Sequence, residues 1–136
     1  MKLVRIRKAT QKDIKELEKI NKIANEELKW WVPLEPKFYK KLLRNKYKDC
    51  FLAFENNKLI GFLSLEYNKN NGRMIIEDIY VLSKMRARGI ARKLINECVR
   101  IWKKKSKSIV LLTADKNLRI FERLGFKKTM NYMEMK

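Results

Sequence analysis

The residues best suited to chemistry lie in one stretch, Ile75 to Ile95, which reads I-I-E-D-I-Y-V-L-S-K-M-R-A-R-G-I-A-R-K-L-I. Two adjacent carboxylates, Glu77 and Asp78, precede Tyr80 and a strand end at Val81 or Leu82. Arg86, Arg88 and Arg92 then surround Gly89, where a helical pattern begins. The first N–H groups of a helix have no intrahelical partners and carry the positive end of its dipole. Gly89 lets an anion approach that backbone closely, so the expected ligand is a phosphate or pyrophosphate. The alternative is an ordinary strand–loop–helix connection with solvated arginines. A P-loop is excluded because G-x-x-x-x-G-K-S/T is absent, and a dinucleotide fingerprint needs three glycines where this loop has one.

A carboxylate beside such a loop can act as a general base. By strand alternation Glu77 shares a face with Ile79 and Val81, and Asp78 points the other way. Alternatively, both pair with nearby Lys or Arg on a solvated strand. The chain has no His, which excludes His-based triads and most zinc sites, and two isolated Cys cannot build one, so no metal is expected. Cys50 and Cys98 sit among apolar residues and read as buried free thiols of a reducing compartment. Cys98 faces a helix core by spacing, so it is not expected to act as a covalent nucleophile.

The elements that must position these residues alternate along the chain. Leu3 to Arg7 reads as a strand, and Thr10 opens a helix with Ile14, Leu17, Ile20, Ile23, Ala24 and Leu28 on one face. K-W-W-V-P-L-E, Lys29 to Glu35, breaks it, and F-Y-K-K-L-L-R-N carries a short second helix with Pro36 at its start. Cys50 to Glu55 and Lys58 to Tyr67 form a hairpin at E-N-N-K, and Arg73 to Leu82 is a third long strand. A helix over Gly89 to Lys105, a strand over Ser108 to Thr113, a short helix over Asn117 to Leu124 and a last strand over Phe126 to Met135 follow. The order β-α-α-β-β-β-α-β-α-β predicts an α/β (α+β) fold: one domain over residues 1–136, with a mixed, mostly antiparallel sheet and helices on both faces.

Charge is the outlying property. The chain carries 34 basic and 15 acidic side chains in 136 residues, for a net charge of +19. Such a chain is drawn to nucleic acid, to anionic surfaces or to a polyanionic cofactor, and biased composition is the plain alternative. The densest run is Lys103, Lys104, Lys105 and Lys107. No apolar leader or membrane-length segment is visible, so a soluble cytoplasmic protein with no membrane partner is expected.

Four segments together resemble the GNAT superfamily of N-acetyltransferases. R-A-R-G-I-A, Arg86 to Ala91, is similar to that family's acetyl-CoA signature, Q/R-x-x-G-x-G/A, at the usual distance from Val81. E-D-I-Y-V, Glu77 to Val81, resembles the form seen in the diamine-acetyltransferase branch. I-R-K-A-T-Q-K-D near the start resembles the family's first strand and helix, and F-E-R-L-G-F, Phe121 to Phe126, resembles its Y-E-K-L-G-F element.

The resemblance implies acetyl-CoA as cosubstrate and transfer of its acetyl group to a primary amine by direct attack. It places acetyl-CoA between splayed strands. Backbone groups at Ile79, Tyr80 and Val81 would hold the acetyl and pantetheine portion. Arg86, Ala87, Arg88, Gly89, Ile90, Ala91 and Arg92 would hold the pyrophosphate. Glu77 matches the catalytic glutamate of the diamine branch. Two positions depart from the pattern: Phe121 stands where the family often has the tyrosine thought to protonate the leaving thiolate, and Ala114 replaces an Asn. Tyr80, Tyr132 or water could supply that proton. The alternative is a CoA-binding or nucleic-acid-binding module on the same fold, with weak or no catalysis. The acceptor site is expected near the first two helices, where Trp30, Trp31, Phe38 and Tyr39 cluster. An acceptor amine of unspecified identity, and nucleic acid on grounds of charge, are the expected partners; the net charge of +19 argues against a polyamine acceptor, which would prefer an acidic pocket.

Overall fold

A computed structural model describes residues 3–28, 34–35 and 37–136. Trp30, Trp31 and Pro36 lie outside the described residues. Five strands form one sheet in sequence order: β1 (Val4–Lys8), β2 (Lys48–Glu55), β3 (Lys58–Asn68), β4 (Arg73–Val81) and β5 (Ser108–Leu111). The first four are antiparallel to their neighbours, and β4 and β5 run parallel. The helices are α1 (Ile14–Leu28), α2 (Phe38–Arg44), α3 (Ile90–Trp102) and α4 (Leu118–Arg123).

Local chemistry accounts for the turns. Asn56 and Asn57 both adopt positive φ, 49° and 64°, as a tight hairpin between β2 and β3 requires. The Asp13 carboxylate accepts the Thr10 backbone N–H at 2.8 Å and both terminal nitrogens of Arg7 at 2.8 and 2.9 Å. It thereby joins the start of the first helix to β1. Hydrogen bonds from Arg7 hold this carboxyl below the usual range despite its burial.

The sheet separates two apolar layers. Leu17, Ile20 and Ala24 of α1 and Tyr39 and Leu42 of α2 pack on Cys50, Leu52, Phe54, Leu59, Phe62 and Tyr80. On the other face Ile90, Leu94, Ile95, Cys98 and Trp102 of α3 pack on Phe51, Ala53, Leu63, Leu65, Met74, Ile76 and Val81. The pairs Phe51/Leu52 and Leu63/Phe62 show strand alternation feeding both layers.

The last predicted strand does not form. Residues 126–136 carry no strand, and Met130, Tyr132, Met133 and Met135 are all exposed. Met130 and Tyr132 would share one face of a strand, whereas Met133 and Met135 would fall on the other. The segment therefore has no single apolar face to bury. The strand it would join, β5, is also shorter than predicted and ends at Leu111.

Close approach between β3 and β4 depends on Gly61. A Cβ there would meet the Tyr80 carbonyl oxygen at 2.8 Å and a Val81 methyl at 3.3 Å. Gly61→Ala is expected to cost about 1–3 kcal/mol by overpacking, read as a lower midpoint in urea with an unchanged slope.

Candidate active site

The site begins with an edge. β4 pairs with β3 along its whole length, up to Gly61↔Val81. On its other side it pairs with β5 only from Arg73↔Ser108 to Ile76↔Leu111. From Glu77 to Val81 that edge is open. The Leu82 N–H bonds the Ile60 carbonyl at 2.9 Å. By antiparallel alternation Tyr80 also directs its backbone groups toward β3, and Ile79 and Val81 direct theirs into the opening.

A bulge reassigns the side chains. Ser64 pairs with Asp78 and Leu65 with Ile76, so Glu77 is an extra residue on β4. Met74 and Ile76 before it, and Ile79 and Val81 after it, all pack in the α3-side layer, although their parity differs. Glu77 and Asp78 consequently share the opposite face, with Tyr80, under α1 and α2. This corrects the expectation from strict alternation that Glu77 would side with Ile79 and Val81.

Both carboxyls are shifted upward. Burial raises Glu77 first, Lys48 partly offsets the rise, and Glu66 and Asp78 add to it. Burial also raises Asp78, against a hydrogen bond from Ser64 Oγ at 3.3 Å. Tyr39 of α2 feels the Asp78 charge, and its own hydroxyl is pushed up mainly by burial.

The loop after β4 has a strained backbone. Ala87 takes φ 63° and Gly89 φ 78°. A non-glycine residue in that region costs about 1 kcal/mol or more, and such conformations turn successive N–H groups toward one concavity. No atom lies within 4 Å of where a Gly89 Cβ would stand, so the approach to the start of α3 is open. Ile90 is buried as the first residue of α3 and Ala91 is half-buried beside it, which anchors the helix end.

The arginines divide into two kinds. Arg86 donates Nε to the Val81 carbonyl at 2.9 Å and a terminal nitrogen to Glu27 Oε2 at 2.6 Å. Arg88 donates to Glu55 Oε2 at 2.6 Å, and the Glu55 side chain is only 5% exposed. These two brace the loop against α1 and β2. Arg92 is exposed and has no carboxylate partner among the described residues, which leaves its charge for a ligand.

Glu27 is a residue of the candidate site that sequence reasoning missed. Its other oxygen accepts the Tyr80 hydroxyl at 2.7 Å. Hydrogen bonds from Tyr80 and then Arg86 hold its carboxyl below the usual range. The Tyr80 hydroxyl is pushed up to about 12, by burial first and by Glu27 next. Nothing in the local pattern of α1 marks Glu27, because both its partners are distant in sequence.

Of the other candidate residues, Phe121 packs at the edge of the α3-side layer with its ring edge-on to Phe126, 6.1 Å between centroids. Tyr132 lies in the exposed C-terminal segment. Phe38 and Tyr39 pack edge-to-face at 5.1 Å, and Tyr39 belongs to the core under α2. Cys50 and Cys98 are buried free thiols, as expected. Burial pushes both up, Cys98 to about 12, so neither offers a thiolate nucleophile. No group of His, Cys, Asp or Glu among the described residues could hold a metal, and no helix among them is long and apolar enough to cross a membrane.

The sequence profile of the Acetyltransferase (GNAT) family matches residues 14–126. The chain belongs to the GNAT acetyltransferase family. It is an acetyl-transferring enzyme with acetyl-CoA as cosubstrate. The open β4 edge, the clear approach to Gly89 and the uncommitted Arg92 fit that ligand. No curated protein matches the chain in sequence. Solved structures do match in fold. An aminoglycoside acetyltransferase from an uncultured soil metagenomic sample, in complex with sisomicin, superposes with TM-score 0.81 at 15% identity, covering 98% of this chain and 95% of that one. The aminoglycoside N-acetyltransferase AAC(6')-Iy in complex with CoA gives 0.78 at 22%, covering 100% and 95%. A ribosomal-protein-alanine N-acetyltransferase from Brucella melitensis biovar Abortus gives 0.78 at 19%, covering 98% and 99%.

The division among the arginines predicts opposite phenotypes. Arg88→Ala leaves a buried carboxylate without its cation and is expected to cost about 1–3 kcal/mol of stability, read by thermal melting. Arg92→Ala is expected to leave the melting temperature of the free protein unchanged and to weaken acetyl-CoA binding about tenfold, the equivalent of one charged hydrogen bond, read by calorimetry.

Proposed function

We propose that the GNAT domain spans residues 1–136 and transfers the acetyl group of acetyl-CoA directly to a primary amine, with Glu77 as general base. The observation that carries this reading is the bulge. It sets two carboxyls with raised pKa values, the exposed Glu77 and the half-buried Asp78, side by side on the α1/α2 face, next to the open stretch of β4. Acetyl-CoA enters at the open edge, where backbone groups of Ile79 and Val81 receive the acetyl and pantetheine portion. The loop from Arg86 to Arg92 receives the pyrophosphate at the start of α3.

The acceptor arrives on the α1/α2 face as an ammonium, which the two carboxyls favour over a neutral group. Its pKa, about 10 for an alkylamine, makes removal of one proton the first requirement. Glu77 takes that proton, directly or through one water. The nitrogen lone pair then attacks the thioester carbonyl carbon. The Val81 N–H faces the developing oxyanion from a fixed position. The C–S bond breaks, the nitrogen gives up its extra proton to a water, and the CoA thiolate takes a proton from that water, since Phe121 has no hydroxyl and Tyr80 donates its own to Glu27. The aminoglycoside complexes among the structural neighbours support a small polyamine as first acceptor to try. Two local carboxyls provide for such a cation despite a net charge of +19.

Phe121 motivates one rival, a CoA-binding module with little turnover. Mass spectrometry for acetylated products, after incubation with acetyl-CoA and a panel of aminoglycosides, polyamines and peptides, separates the two. Binding of acetyl-CoA without any acetylated product across the panel would favour the rival.

For a verified acceptor, Glu77→Gln is expected to lower turnover by about 10²–10⁴-fold with nearly unchanged acetyl-CoA affinity. Because burial raises the Glu77 carboxyl, activity in the native enzyme falls as pH drops through a value above the ordinary glutamate pKa of about 4.3. That acidic limb disappears in Glu77→Gln. A variant as fast as the native enzyme at every pH would remove Glu77 from this role.

A further inference from the structure

The end of the sheet opposite the cofactor loop carries a site that acetyl transfer does not use. β1 ends there at Lys8, β2 begins at Lys48, and α3 ends at Trp102. A cleft of about 300 Å³ opens between them, with Lys8, Lys46, Lys48 and Lys105 among its lining residues. Asp49 is the one acidic residue in that lining. Its Oδ2 takes Lys8 Nζ at 3.1 Å and Trp102 Nε1 at 3.0 Å, and its Oδ1 accepts the Cys50 N–H at 3.0 Å. This carboxylate is therefore committed to holding the cleft wall. Lys48 Nζ lies 3.4 Å from Glu66.

The remaining lysines are held by rings. Tyr47, Tyr67 and Trp102 form a row, with centroids 6.3 and 5.8 Å apart. Lys46 and Lys69 sit over Tyr47 at 5.2 and 5.4 Å, and Lys105 over Trp102 at 4.9 Å. None of the three has a carboxylate partner among the described residues. A ring face localises an ammonium without cancelling its charge, so its N–H groups remain available to an anion. Lys103 and Lys104 precede Lys105 in a single 3-10 turn, and Lys107 packs on the β3–β4 turn through its N–H to the Gly72 carbonyl at 2.7 Å. Cations thus continue beyond the cleft in both directions.

We propose that this end of the sheet binds the phosphate backbone of a nucleic acid. A single small phosphate would be neutralised by two or three of these lysines, whereas a polynucleotide offers successive phosphates to the whole set. The rings already face one another or a lysine, so the contacts are with backbone and not bases, and no sequence preference is expected. The cleft lies at the other end of the sheet from Gly89, so acetyl-CoA binding is expected to be unaffected; Lys48 of its lining also acts on Glu77, and the test therefore leaves Lys48 unchanged.

The test is fluorescence anisotropy with a labelled single-stranded RNA and a labelled duplex DNA over a range of salt. Native protein is expected to bind, with affinity falling linearly on a log–log plot. Lys46→Ala combined with Lys105→Ala is expected to weaken binding at least tenfold and reduce the salt slope by about 2 for duplex. Acetyl-CoA affinity and melting temperature should hold. Lys15→Ala combined with Lys22→Ala on α1 makes the same change in net charge and is expected to have little effect. Equal loss in the two double variants would reduce the binding to bulk charge and overturn the site. Absence of nucleic-acid binding at low salt would also overturn it, as would binding confined to inorganic tripolyphosphate or to phosphatidylserine vesicles.

Discussion

One strand is satisfied along one edge and only partly along the other, and the functional architecture follows from that imbalance. β4 cannot leave its backbone groups from Glu77 to Val81 buried and unpaired without a cost of a few kcal/mol. It reaches its full length because β3 fills one edge, and Gly61 permits the close fit there. The other edge faces an opening where β5 has stopped. An extended acyl carrier with amide groups is a natural complement to such an edge, because it can supply the missing strand partner.

The bulge and the loop are fixed by different means and meet at the same place. The bulge changes the parity of β4, so apolar residues on either side of it stay in the α3 layer while both acids are turned to the α1/α2 face. The loop is held by Arg86 and Arg88, each ending on a glutamate from another element. These contacts hold Ala87 in a left-handed conformation that is costly for a non-glycine residue, whereas Gly89 adopts its own freely. Glu27 lies at the junction, since it touches both β4, through Tyr80, and the loop, through Arg86.

Much of this is legible in the sequence. Strand alternation, the Asn-Asn turn, the amphipathic run from Ile90 to Trp102 and Gly89 at its head are local signals, and each sits where local physics puts it. Three things were not local. The bulge at Glu77 is a property of pairing with β3, and E-D-I-Y-V alone gives no sign that alternation breaks. The Glu27 and Glu55 contacts join residues far apart in the chain, and on a surface rich in arginine and glutamate no pairing rule selects them. The final strand failed for the converse reason: its residues have strand-like local character, but a strand needs one apolar face to bury, and Met130 to Met135 has none.

The two cysteines fall in different layers. Cys50 lies on the sheet under α1 and α2, Cys98 is on α3 itself and faces the sheet, and both are wholly enclosed. Their thiols are held protonated and out of reach, so an alkylating reagent can modify either one only when the layer above it lifts. The molecule therefore carries a separate clock for each side of its sheet. Alkylation rates at the two sites would show whether α1 and α2 breathe independently of α3.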